Sequence, residues 1–177
     1  PLANTDRDPM VTRAEDEVTA AAKEWDGARV LAGPDATAEA VAELAASVDV
    51  LHVAAHGRHS SQNAMFSGLQ LADGPWFGYD IDRLRRVPDV VLLSACEVGR
   101  STVRWGDELI GMTTAWLHAG ARCVIASAAA VNDSAAYDVL VAVHQQLAAG
   151  ADPAVALAAA VPAATADTAP VPLVCFR

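Results

Sequence analysis

The chain is poor in cysteine, in lysine and in aromatic residues. Its 177 residues include three cysteines, at positions 96, 123 and 175. Their odd number and wide spacing fit neither a disulfide framework nor a CxxC zinc site, and leave reduced thiols in a cytoplasmic protein as the natural reading. No run of eighteen apolar residues occurs and Pro1–Met10 is polar, so neither a helical membrane span nor a signal peptide is expected. Basic residues are scarce as well: 12 Lys and Arg stand against 22 Asp and Glu, a net charge of −10. Neutralising phosphates requires a basic face, so nucleic acid is not an expected partner. One short basic run, Arg83–Arg86, reads as the border of a strand, and Lys23 is the only lysine in the sequence.

Hydrophobic residues make up 53% of the chain and the mean hydropathy is +0.25. A disordered chain would show the opposite balance, and this length suits one domain with a substantial core. Pro1–Met10 reads as a tail or linker and residues 11–177 as the domain. Helix-forming residues with apolar positions three to four apart predict helices over Arg13–Trp25, from Thr37 or Asp35 as cap to Val48, over Asp107–Ala119, over Ser134–Ala149 and over Ala151–Ala160. Short apolar runs predict strands at Ala28–Ala32, Val48–Ala55, Phe66–Leu71, Asp89–Leu93, Ala121–Ser127 and Val171–Phe176. Tyr79–Arg86 reads as a helical turn, and Trp76 and Trp105 fall in expected loops. Apolar strands alternating with amphipathic helices indicate an α/β domain with a mostly parallel sheet.

In open α/β sheets the reactive groups gather beyond the carboxyl ends of the strands. Two such ends carry candidates: Leu51–Ala55 delivers His56 and Gly57, and Val90–Leu93 leads to Cys96. On neighbouring strands, a thiol and an imidazole in these positions form the pair that thiol nucleophilic catalysis needs. The amides of Gly57 and Cys96 could then receive a developing oxyanion. The competing reading of Cys96 is a small buried hydrophobe, which suits Cys123 and Cys175 inside their apolar runs. His52, His56 and His59 suggest zinc, but no carboxylate or cysteine is spaced to complete a set, so no metal is expected. Ser94 lacks the glycine pattern of a nucleophile elbow. His118 and His144 fall on expected helices without a partner.

Taken in order, Asp49–Gly57 (DVLHVAAHG), Val90–Gly99 (VVLLSACEVG), Gly106–Gly111 (GDELIG), Leu117–Ser127 (LHAGARCVIAS) and Val171–Phe176 (VPLVCF) resemble the CHAT domain, a caspase-like cysteine peptidase family related to separases. The resemblance runs from about Val11 to Arg177. It implies a caspase-like three-layer sandwich, with His56 and Cys96 as a Cys-His dyad and the amides of Gly57 and Cys96 as the oxyanion hole. It also implies a protein or peptide substrate, no cofactor and no membrane. The implied function is that of a cysteine endopeptidase working through an acyl-enzyme.

Where such domains commonly carry a Leu-Trp-Pro-Val-Asp-Asp type segment, this chain has Ala128-Ala129-Ala130-Val131-Asn132-Asp133. Asp133 is retained. The resemblance makes it the candidate for the acid that meets a basic substrate side chain, with a plain helix cap as the other reading. Such domains generally begin further upstream, so this chain is expected to be the C-terminal portion of a longer protein, with a regulatory upstream domain or a bound activator. The rival function is a catalytically silent CHAT-type scaffold or interaction module.

Overall fold

The computed structural model describes residues 9–58, 68–95, 107–127, 133–164 and 171–177. In chain order its elements are α1 (Pro9–Ala22), a 3₁₀ turn (Gly33–Asp35), α2 (Ala38–Ala45), β1 (Val50–Arg58), β2 (Gly68–Leu71), β3 (Gly74–Phe77), α3 (Gly78–Ile81), β4 (Val90–Ala95), α4 (Asp107–Ala119), β5 (Cys123–Ser127), α5 (Asp133–Ala148), α6 (Pro153–Ala164) and β6 (Leu173–Phe176). The six strands form one sheet in the order β3-β2-β1-β4-β5-β6. β1, β4 and β5 run parallel at its centre. β2 and β3 continue it antiparallel on one side and β6 on the other. The expected α/β sandwich is present, and its sheet is mixed around a parallel core.

Two apolar layers follow from strand alternation. Leu51 and Val53 of β1, Val91 and Leu93 of β4, and Val124 and Ala126 of β5 pack with α2, α3 and α4. The alternate residues Leu92, Cys123 and Ile125 pack with α5 and α6. Trp116 of α4 and Trp76 of β3 are both buried and meet edge to face, with ring centroids 5.7 Å apart.

α2 starts where Thr37 accepts a hydrogen bond from the Ala40 amide at 3.3 Å. Asp73, from the β2–β3 turn, accepts from the Ala38 amide at 2.9 Å. Two orphan amides of the helix are thus satisfied, one of them from a distant segment. Thr37 is the cap, and Asp35 belongs to the 3₁₀ turn.

Four local expectations need correction. Ala28–Ala32 forms no strand; it is an apolar run with no ladder partner, and Val30 is 42% exposed. Trp76, expected in a loop, instead lies in an edge strand, Gly74–Phe77. Proline is tolerated there because an edge strand has one side free of ladder bonds, and Trp76 is accordingly a core residue. β1 does not stop at Ala55 but continues through His56 and Gly57 to Arg58, because β2 pairs alongside those residues. α1 begins at Pro9, so the end of the expected tail is helical; proline suits a first helical position, where its missing N–H costs nothing.

Trp116 Nε1 is buried with no hydrogen-bond partner, so the ring contributes through packing alone. Trp116→Ala is expected to cost about 3–5 kcal/mol, read as a lowered urea midpoint. Trp116→Phe keeps part of the ring contact, removes the orphan donor, and should cost less.

Candidate active site

The parallel ladder of β1 with β4 runs from Val50↔Val90 to Ala55↔Ala95. His56 and Gly57 follow within β1, past the end of that ladder, and pair with Gln70 and Leu69 of β2. β4 ends at Ala95, the residue before Cys96. Cys96 itself lies outside the described residues, as do Trp105, His59 and Ala128–Asn132. Asp133 is the first residue of α5, and its side chain is likewise outside the description.

Alternation puts His52 and His56 on the face of β1 opposite Leu51 and Val53, the face covered by α1 and α5. A cleft of about 1430 Å³ lies along β1 under α1 and the segment 23–36, lined by residues from both faces of the strand. His56, Ser94, Gln70, Tyr137 and Asp138 all contribute to its walls. The structure therefore brings His56 and Gly57 to the carboxyl end of the parallel core, where ligand sites of open α/β sheets form.

Sequence reasoning missed three of the residues that line the cleft with His56. Gln70 is the polar position in the otherwise apolar Gly68–Leu71, a signal that was readable. It reaches the cleft because cross-strand partners share a face, and its partner is His56. Tyr137 and Asp138 come from the start of α5, and nothing in their local sequence marks them.

The roof of the cleft is pinned by buried polar side chains. Trp25 Nε1 donates to His144 Nδ1 at 2.9 Å. Indole nitrogen can only donate, so neutral His144 carries its proton on Nε2. That nitrogen lies 3.1 Å from His52 Nδ1, and the two rings stack with centroids 5.1 Å apart. The proton of His52 is then on Nε2, which faces Glu17 Oε1 of α1 at 3.0 Å. The approach lacks the alignment of a hydrogen bond, and both atoms are otherwise unpartnered. Imidazole and carboxylate thus bring α1 against β1 without a well-formed hydrogen bond. His144 does have partners, contrary to the expectation for a helix histidine. Two buried histidines and a buried glutamate meet across three elements, yet among the described residues no group of three or more His, Cys, Asp or Glu is arranged to hold a metal ion.

Burial, with the nearby His52 adding to it, lowers the His144 pKa from its ordinary value to about 3. The unfolded chain thus binds a proton at this site between pH 6.5 and 3 that the folded one does not, and folding stability falls as pH falls through that window. The loss is expected to be on the order of 1 kcal/mol per pH unit within it. Denaturant unfolding at pH 7 and pH 4.5 checks this: the drop should shrink in His144→Gln, which cannot take up the proton.

The model of the CHAT domain family matches residues 2–171. No curated protein matches the chain. Among the described residues no helix is long and apolar enough to cross a membrane.

Proposed function

The chain belongs to the CHAT domain family, a caspase-like one, and on that premise we propose that it is a cysteine endopeptidase with Cys96 as nucleophile and His56 as its acid–base partner. The observation that carries this reading is the β1–β4 register. Ala55 stands beside Ala95, and His56 and Cys96, the proposed dyad, are the residues that follow these two in the sequence. Neighbouring parallel strands are about 4.8 Å apart, so the chain leaves β4 for Cys96 next to the strand that carries His56.

The Cys96 thiolate attacks the scissile carbonyl carbon and the carbonyl oxygen takes up the negative charge. The amides of Gly57 and Cys96 stabilise that oxygen, and glycine at 57 lets the substrate approach the backbone closely. His56 gives a proton to the departing amine, leaving an acyl-enzyme. It then takes a proton from the water that releases the acid. Asp133 is proposed to receive a basic side chain of the substrate. His56 is part of the cleft wall, so a substrate bound there would lie against it. In this reading an upstream domain or a bound protein controls access to the cleft.

An electrophilic peptide such as an acyloxymethyl ketone tests the dyad. Labelling should map to Cys96, vanish in Cys96→Ala, and fall by about 10²-fold or more in His56→Ala, the usual contribution of a positioned acid–base group. Labelling at full rate in His56→Ala would show a merely accessible thiol and favour a silent scaffold.

A further inference from the structure

The register of β5 with β6 pairs Ile125 with Cys175. Cys123 lies two residues before Ile125, so it shares a face with Cys175 and stands diagonal to it across the ladder. Their sulfur atoms are 2.9 Å apart, closer than two unbonded sulfurs sit at van der Waals contact and within about 1 Å of a disulfide bond length. Both are free thiols, Cys123 buried and Cys175 half-buried. Ordinary core cysteines are single; here the only two cysteines among the described residues meet on the outermost strand pair of the sheet. Arg177 lies two residues after Cys175 and pairs with Asp152 just before α6. Its guanidinium is therefore close enough to act electrostatically on the more accessible of the two sulfurs.

We propose that Cys123 and Cys175 form a dithiol modification site, closed by a peroxide into a disulfide and reopened by thiols. Cys175 reacts first. Its sulfur attacks one oxygen of hydrogen peroxide, the O–O bond breaks, and a sulfenic acid and one water result. The Arg177 guanidinium faces the charge that develops on the sulfur as its proton leaves. The Cys123 sulfur then attacks the Cys175 sulfur, the S–O bond breaks, and the hydroxide leaves with the Cys123 proton as a second water. Two thiols have lost two electrons and two protons, and one peroxide has been reduced to two waters. Burial and the neighbouring thiol push Cys123 up to about 12, so it is the poorer thiolate of the pair and is not the one that meets the peroxide first. The product ties the edge strand β6 to β5 across the intervening α5 and α6. The site is separate from Cys96 and does not depend on the peptidase reading.

The full chain carrying Cys96→Ala has only these two thiols and is treated, folded, with a small excess of hydrogen peroxide. The monomer should lose about 2 Da, as two hydrogens leave on disulfide formation. A non-reducing peptide map should join Cys123 to Cys175, and dithiothreitol should restore the original mass. The melting temperature should rise on oxidation by on the order of 5–10 °C, because the bond closes a long loop. Cys175→Ser should abolish both changes. The same peptide map on the wild-type chain guards against a fault peculiar to the variant. A monomer that gains oxygen without forming the link, that keeps both thiols open to alkylation, or that links either cysteine to Cys96 in the wild-type chain would overturn the proposal.

Discussion

Six residues of β1 lie against six of β4, from Val50↔Val90 to Ala55↔Ala95, and the arrangement of the candidate site depends on that register. Side chains alternate along a strand, so a slip by one residue would turn Leu51 and Val53 out of the α2–α4 layer and send His52 and His56 into it. The burial of Leu51, Val53, Val91 and Leu93 on one side and of Leu92 on the other makes that slip costly. The core thereby determines which face of the sheet receives His56, and hence which helices roof the cleft beside it. Fold stability and site geometry are here consequences of one ladder.

The roof has a different physics. α1 reaches β1 through Glu17 and His52, and His52 reaches α5 through His144. Trp25 completes the arrangement from the turn after α1. Buried polar groups of this kind add little net stability when satisfied but are costly when one partner is removed. Their effect is to fix the position of α1 over the cleft, which an apolar contact alone would leave free to slide. The segment over the cleft is thus held by buried polar groups, while the sheet beneath it is held by apolar packing.

The central strands and the long helices were legible because each carries a continuous apolar run or a helical period, and tertiary context reinforced both. Asp107–Ala119 matches its expected span to the residue. The misreadings share one cause, the dependence of a strand on its neighbours. Ala28–Ala32 has a strand's composition and no partner. Gly74–Phe77 has a loop's composition and a partner in β2. β1 runs past Ala55 because β2 supports it there. At the site, His56 and Gly57 were readable from their place after an apolar run. Gln70, Tyr137 and Asp138 reach the same cleft through pairing and helix placement, which no local pattern encodes. The meeting of Cys123 with Cys175 is of the same kind, set by the register of a strand pair and invisible in their separation along the chain.

Whether this chain cuts peptide bonds with Cys96 decides between an active peptidase and a silent scaffold. The direct measurement is to incubate the protein and its Cys96→Ala variant with a pooled peptide library and read new termini by mass spectrometry. Cleavage after one class of residue, absent in the variant, is the predicted result, and a basic residue before the cut would support Asp133 as its partner. Cleavage that persists in Cys96→Ala, or a native protein that cuts nothing while Cys96 ignores electrophilic peptides, would contradict the peptidase reading.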